Sequence, residues 1–297
     1  MRLTRSLGLL LLIGGAARAS LVTDVQALVA ARQLPLAVNE VRAIQARNGG
    51  SAELAAAISW LARGALGESQ VAQADAYASE ARAMALRILG MRNLDSDPWL
   101  PTALGAAIEV HAGVLAARGQ TPEALKFLRQ ELNSWNRTSL LERIQKNINL
   151  LTLEGRPAPP LEGFNLASLK GHPVLLFFWA HWCPDCKAEA PILAAIRNRF
   201  AAQGLAVVGP TRLYGYAAGG EPAAPAAEKQ YIEQIRQHYY LALAGMPTPL
   251  SAANFEAYGA STTPTLVLLD RAGVVRDYHP GAMSGPELVA KVQELLR

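Results

Sequence analysis

The sequence predicts an all-helical N-terminal half followed by an α/β domain with a mixed sheet. Residues 21–153 are rich in Ala, Leu, Arg, Gln and Glu and show almost no strand-like alternation, a pattern typical of helices. After a proline-rich stretch at residues 156–160, short apolar runs alternate with helical patterns. The 297 residues, 51% hydrophobic and 18% charged, are enough for two globular domains.

The first nineteen residues have the pattern of a secretory signal peptide. Arg2 and Arg5 precede an apolar run over residues 7–13, and Ala17-Arg18-Ala19 follows. The alternative is a retained N-terminal anchor, although this run is too short to span a bilayer as a stable helix, and we expect no later segment to do so. Removal of the segment lowers the formal net charge from +4 to +1, so we expect neither nucleic acid nor anionic lipid as a default partner.

We expect a helical domain over residues 20–155, with five or six helices. Thr121, followed by Pro122, and Ser139, paired with Glu142 in a capping box, mark two helix starts. Residues 104–128 resemble a tetratricopeptide-type (TPR-like) helical hairpin and residues 52–85 echo it, without the usual period of about 34 residues. Two interpretations stay open: a concave surface that docks a protein partner, or a bundle that supports the next domain.

Residues 161–297 predict a domain with the element order βαβαββα. We expect strands at 174–180, 206–209, 265–269 and 274–278, and helices at 184–202, 227–240 and 285–296. The short turn at 270–273 predicts antiparallel pairing of the last two strands, and hence a mixed sheet covered by helices on both faces. Residues 156–160 predict an extended, stiff linker because they contain three prolines.

The only two cysteines, Cys183 and Cys186, stand where the first predicted strand gives way to a helix. A disulfide between them closes a very small loop and stabilises little, which favours a chemical role. Cys183 at the helix N-terminus has a favoured thiolate, and Cys186 lies one turn later. This predicts thiol–disulfide exchange, in which Cys183 attacks and Cys186 resolves the mixed disulfide. We expect no cofactor, and no histidine shows a convincing metal-ligand spacing.

Several motifs over residues 158–297 resemble the thioredoxin superfamily, and more narrowly the exported TlpA/ResA-like thiol–disulfide reductases. They are Phe178-Trp179-Ala180, Trp182-Cys183-Pro184-Asp185-Cys186, Pro191, Thr263-Pro264-Thr265, Asp270-Arg271-Ala272-Gly273 and Gly281. The resemblance implies protein disulfides or dithiols as substrates, a periplasmic or otherwise exported location and an upstream membrane thiol reductant. It also implies a cis bond between Thr263 and Pro264, whose backbone edge would bind substrate beside the cysteines; the alternative is an ordinary trans proline.

Glu189 is the third candidate catalytic residue. Ordinary thioredoxins have a buried Asp directly before the Phe-Trp pair, where this chain has Phe177, but Glu189 follows Cys186 by three residues, similar to the acid of the TlpA/ResA group. A partly buried Glu189 would have a raised pKa and could take the proton of Cys186; the alternative is a solvated helix residue.

Three features beside the cysteines have weaker signals. We expect Trp182 to form an apolar lip beside Cys183 that contacts substrate; the alternative is packing in the core, and the two are compatible. His181 either tunes the Cys183 thiolate or is an ordinary surface residue. The Gly/Pro/Ala-rich loop at residues 213–226 either borders the active site or is a passive insertion.

Other function classes fit the sequence less well. A peroxidase of the same fold would want a threonine three residues before the reactive cysteine, where Ala180 stands. A copper protein could use the two thiolates as soft ligands. An interaction protein could rely on the helical half, with an accessory redox domain. Asp185 between the cysteines disfavours a thiolate, which favours a reductase over an oxidase, although a proline directly after the first cysteine, as at Pro184, also occurs in oxidases.

Overall fold

The computed structural model describes residues 20–297, and the predicted signal peptide at residues 1–19 lies outside them. Between residues 20 and 153 the chain forms seven α-helices rather than five or six, because the segment before Asn48 folds as two helices that the composition alone did not separate. They are α1 (Leu21–Ala30), α2 (Leu34–Asn48), α3 (Ala52–Gly67), α4 (Val71–Leu89), α5 (Leu100–Ala117), α6 (Thr121–Trp135) and α7 (Leu141–Thr152).

The first six helices form three hairpins that share one turn geometry. The turns are centred on Arg32, Ser69 and Gly119, each with a positive φ. In each turn the next residue is a glutamine whose N–H donates to the carbonyl five residues earlier. The three bonds are Gln33 to Leu28 at 2.9 Å, Gln70 to Ala65 at 2.8 Å and Gln120 to Leu115 at 2.9 Å. This closes the end of one helix and aims the next one back along it. The uneven spacing of the three turns explains why the sequence shows no clean repeat.

Two helix starts and one helix differ from the prediction. Helix α6 begins at Thr121 itself, so Thr121 is not the N-cap, although Pro122 does lie in the first turn. The capping box was wrong because the Ser139 hydroxyl donates to Asp95 instead, and α7 begins at Leu141. Helix α5 is long and apolar enough to cross a membrane, contrary to expectation. It packs against α3, α4 and α6 and is largely buried in the core of the helical half.

The second half contains four strands and four further α-helices. The strands are β1 (Val174–Phe178), β2 (Ala206–Val208), β3 (Thr265–Leu269) and β4 (Val275–Pro280). The helices are α8 (Pro184–Arg199), α9 (Pro225–Tyr239), α10 (Ala252–Tyr258) and α11 (Gly285–Leu295). The predicted order therefore lacked α10, which lies between α9 and β3.

The sheet has the strand order β2-β1-β3-β4. Strand β1 pairs parallel with β2 and antiparallel with β3, and β3 pairs antiparallel with β4, which confirms the mixed sheet. All five residues of β1 are buried, since alternate side chains enter two different cores. Leu175 and Phe177 face the core that contains α8 and α11, and Leu176 and Phe178 face Phe255 of α10. The C-terminal end of the central strand β1, which leads to the cysteines, is therefore packed on both faces of the sheet.

The two halves are joined by backbone pairing and by helix packing. In the predicted linker, the N–H of Ala158 donates to the carbonyl of Gly273, and Arg156 accepts from the N–H of Val275, so the linker lies along the sheet edge. Helix α7 packs against α10, where the Asn149 amide donates to Ala257 at 3.2 Å. The helical half is thus seated on the α/β half by its last helix.

Candidate active site

The loop between β1 and α8 places the two cysteines at the end of the central strand. Cys183 is the N-cap residue of α8, and its Sγ accepts the N–H of Cys186 at 3.0 Å. Pro184 occupies the first turn, where its missing N–H costs the helix nothing. The positive end of the α8 dipole therefore points at the Cys183 sulfur.

Cys183 and Cys186 are joined by a disulfide bond, so the structure is that of the oxidised form. Both residues are buried, with exposed fractions of 1% and 0%. Attack on a substrate disulfide predicts an exposed Cys183. This expectation is wrong for the oxidised form, in which Cys183 belongs to a buried core cluster and the Thr263 carbonyl lies against its sulfur. Within residues 20–297, no cluster of three His, Cys, Asp or Glu side chains is arranged to hold a metal ion.

The Thr263-Pro264 peptide bond is cis and lies beside the disulfide. The carbonyl oxygen of Thr263 is 3.4 Å from Sγ of Cys183. The Thr263 hydroxyl is buried and has no hydrogen-bond partner among the described residues. The structure thus brings the cysteines together with Thr263 and Pro264, two of the three residues predicted to bind substrate, although Thr263 is 80 positions from Cys183 in the chain.

Glu189 is buried on α8, one turn after Cys186, and only 2% of it is exposed. One carboxyl oxygen accepts the N–H of Met283 at 3.0 Å, and the other has no hydrogen-bond partner among the described residues. Burial raises the pKa of Glu189 to about 7, the Met283 N–H opposes this rise and Asp185 adds to it. The carboxyl group is therefore able to exchange a proton near neutral pH.

Trp182 and Tyr214 form a surface beside the disulfide that we call the aromatic wall. Trp182, directly before Cys183, is 45% exposed, and its ring meets the edge of the Tyr214 ring at a centroid distance of 5.6 Å. Tyr214 belongs to the loop at residues 213–226, so this loop contacts Trp182, the residue directly before Cys183. Trp182 is the exposed part of the aromatic wall and directly precedes Cys183 in the chain.

His181 is fully buried and is not a surface residue. Its Nε2 atom is 3.1 Å from a carboxyl oxygen of Glu228 on α9, and the rings of Tyr214, Tyr216 and Tyr231 meet it edge to face at 5.3–5.5 Å. Burial lowers the pKa of His181 and Glu228 opposes this shift.

Glu228 also accepts the backbone N–H groups of Tyr214 at 2.5 Å and Gly215 at 2.9 Å. One buried carboxyl group therefore fixes both His181 and the start of the loop at residues 213–226.

The comparisons with known proteins agree with this geometry. A family model described as Redoxin matches residues 154–296. The thioredoxin-like protein YneN of Bacillus subtilis is 31% identical over 147 residues, which cover 47% of this chain and 78% of YneN. The chain belongs to the thioredoxin superfamily. Within this superfamily its Cys183–Cys186 pair and its relatives make it a thiol–disulfide oxidoreductase.

Two further relatives of the superfamily are informative. The thiol:disulfide interchange protein DsbE of Xylella fastidiosa is 30% identical over 166 residues, covering 55% of this chain and 73% of that protein. The soluble secreted antigen MPT53 of Mycobacterium tuberculosis is 46% identical over 55 residues, covering 18% of this chain and 27% of the antigen. All three similarities are confined to about half of this chain or less.

Sequence reasoning missed Arg212 and Glu228, two charged residues around this thioredoxin-like site. The guanidinium of Arg212 lies 5.0 Å from the centre of the Tyr214 ring and pairs with Glu142 of α7. Glu228 gives no distinctive signal, since a glutamate in the first turn of a helix is common. Their partners are 70 and 47 positions away in the chain, so no local pattern could reveal them.

Proposed function

We propose that this oxidoreductase is an exported reductase that passes two electrons to disulfides of protein substrates. The observation that carries the proposal is the position of Cys183, which caps α8 with its Sγ beside the Cys186 N–H and 3.4 Å from the Thr263 carbonyl. A sulfur in this position is stabilised as a thiolate by the helix N-terminus. Cys183 is therefore the attacking residue.

The reaction proceeds through a mixed disulfide. The reduced Cys183 thiolate attacks one sulfur of the substrate disulfide; that S–S bond breaks, and the leaving sulfur takes up a proton. Cys186 then attacks Sγ of Cys183, which releases the second substrate thiol and forms the intramolecular disulfide seen here. The enzyme is oxidised by two electrons, and a dithiol reductant must return them.

Glu189 acts as the general base in the second step. Cys186 has to lose its proton before it can attack, and Glu189 lies one helical turn away on the same face of α8. Its raised pKa, about 7, matches this task because a general base is most effective when its pKa is near the working pH.

Thr263, Pro264 and Trp182 bind the substrate beside the disulfide. The Thr263 carbonyl already faces Cys183, so an extended substrate backbone can pair with this edge while its cysteine reaches Sγ. Trp182 supplies exposed apolar surface on the Cys183 side. These contacts involve the substrate backbone and a general apolar surface, which suits protein substrates of differing sequence.

Export is supported by the predicted signal peptide at residues 1–19 and by the secreted relative MPT53. A pair of cysteines that must be reduced repeatedly in an oxidising compartment needs electrons from inside the cell. We therefore propose a periplasmic or otherwise exported location and an upstream membrane thiol reductant as the partner.

The helical half is proposed to contact a protein partner. Three hairpins with the same turn stack side by side, an arrangement suited to a continuous binding face. Its firm seating on α10 also supports the α/β half.

Trapping the mixed disulfide tests the proposed reaction. In Cys186→Ser, Cys183 attacks a protein disulfide such as that of insulin, but the intermediate cannot be resolved. We expect a stable covalent adduct on a non-reducing gel that dithiothreitol releases. Cys183→Ser is the control and should form none. An adduct through Cys186 in Cys183→Ser, or none in either variant, would contradict the assigned roles.

A further inference from the structure

Arg212 connects the helical half to the redox site. Its guanidinium pairs with Glu142 of α7 and lies 5.0 and 4.9 Å from the ring centres of Tyr214 and Phe255. The Arg212 and Glu142 side chains are only 24% and 14% exposed. The Arg212 cation is partly buried and interacts with one carboxyl group and two aromatic rings. It therefore restrains the side chains of Glu142, Tyr214 and Phe255.

Tyr214 extends this connection to the cysteines. Its ring packs against Trp182, which directly precedes Cys183. Its backbone N–H is bound to Glu228, so the residue is anchored at the backbone by the α/β half and at the ring by Arg212. The orientation of the aromatic wall therefore depends on Glu142, a residue of the helical half.

The position of Glu142 is itself fixed relative to the sheet. Gly259, at the end of α10, lies so close to α7 that an added Cβ would be 2.3 Å from the backbone nitrogen of Lys146. Lys146 is one turn after Glu142, and Asn149 bonds to α10. Helix α7 therefore presents Glu142 to Arg212 as a rigid part of the site.

We propose that the helical half completes the protein-substrate surface of the redox site, with Glu142 and Arg212 as positioning residues for the aromatic wall. The occupant is the polypeptide that flanks a substrate disulfide, with an apolar side chain packed on Trp182 and Tyr214. The exposed Trp182 beside a buried Cys183 supports this occupant, because a chain must cover the aromatic wall to bring its sulfur to Cys183. This inference rests on the proposed function.

Single-turnover kinetics with two disulfides test this inference. The protein is first reduced with dithiothreitol and then freed of it, and KM and kcat are the half-saturating concentration and the limiting rate of that single turnover. We compare Glu142→Gln and Arg212→Gln with the wild type, using insulin as the protein substrate and DTNB as a small disulfide that does not need the aromatic wall. The KM for insulin should rise about fivefold, as expected for the loss of one partly buried cation–π arrangement. The kcat for insulin and the DTNB rate should stay within about twofold, since the cysteines are untouched.

The matched control is Glu233→Gln, which breaks the Arg236–Glu233 pair on α9, away from the aromatic wall. Glu233→Gln should change neither the insulin reaction nor the DTNB reaction. In Glu142→Asp, which keeps the carboxyl group, the KM for insulin should return most of the way to the wild-type value. An unchanged KM in both test variants would overturn the inference and leave the proposed function intact. An equal loss on insulin and DTNB would also overturn it. A wild-type enzyme that reduces neither disulfide would contradict the proposed function itself.

Discussion

Glu189 has the clearest pH signature of the residues around the disulfide. Burial raises its pKa to about 7, well above the ordinary value of 4.5. The folded state therefore keeps the proton that the unfolded chain loses above pH 4.5 or so. Glu189 favours folding below its unfolded pKa, and this contribution is lost as the pH rises to about 7.

Replacing Glu189 by Gln should remove a pH-dependent step. As pH rises through about 7, the wild-type carboxylate forms and can accept the Cys186 proton, so resolution of the mixed disulfide should accelerate. In Glu189→Gln we expect resolution to be about a hundredfold slower, with no inflection near pH 7. Single-turnover kinetics from pH 5.5 to 8.5 measure the rate of resolution and its pH dependence.

The control for this series is Glu287→Gln, an exposed position on α11. Its profile should match the wild type. An inflection near pH 7 that survives in Glu189→Gln would assign the proton transfer to another group.

At the scale of single residues, the sequence predicted what lies along one helix. Cys183, Cys186 and Glu189 follow helical spacing on α8, so their proximity could be inferred from position alone. The surface alternative for His181 was wrong because Glu228 and three tyrosines bury it. No rule of local spacing brings Glu228 to His181.

Among the elements, the strands and the long helices of the α/β half were predictable, including the three-residue strand β2, but the short helix α10 was not. Strand β3 was predicted with its observed bounds, and β1, α8 and α11 to within three residues. Helix α10 has seven residues, about two turns, which is too short to show a helical period. Yet α10 carries Phe255 and Tyr258, which cover one face of the sheet, and Gly259, which touches α7.

The contact between α10 and α7 should be sensitive to one methyl group. Gly259 has a φ of 58°, and a Cβ there would meet the backbone of Gln145 and Lys146, which cannot move aside as a side chain would. We expect Gly259→Ala to destabilise the protein by about 3 kcal/mol, combining backbone strain with overpacking. The urea midpoint measures the change.

Gly273→Ala is the matched control for this helix contact. Gly273 also has a positive φ, 80°, but an added Cβ there meets nothing within 4 Å. It should lose only about 1 kcal/mol, the strain component alone. Equal losses at the two glycines would mean that α7 and α10 are not tightly packed in solution.

For the whole molecule, composition and motifs predicted a helical half followed by an α/β half, but not how the two halves contact each other. The resemblance to known reductases stops near residue 158, so it gave no expectation for the helical half. The structure joins the halves through the pair of Glu142 and Arg212, the contact of α7 with α10 and the pairing of residues 155–158 with the sheet edge. Each contact links distant segments of the chain, which is why no local pattern predicts it.

The reduction potential of the Cys183–Cys186 couple shows whether the protein is a reductase, as we propose. The protein without residues 1–19 would be equilibrated against glutathione and dithiothreitol buffers, and its free thiols would be counted. We predict a two-electron couple near that of thioredoxin, about −270 mV. A value near −120 mV would contradict the proposed reductase activity, because it is the potential of an enzyme that installs disulfides.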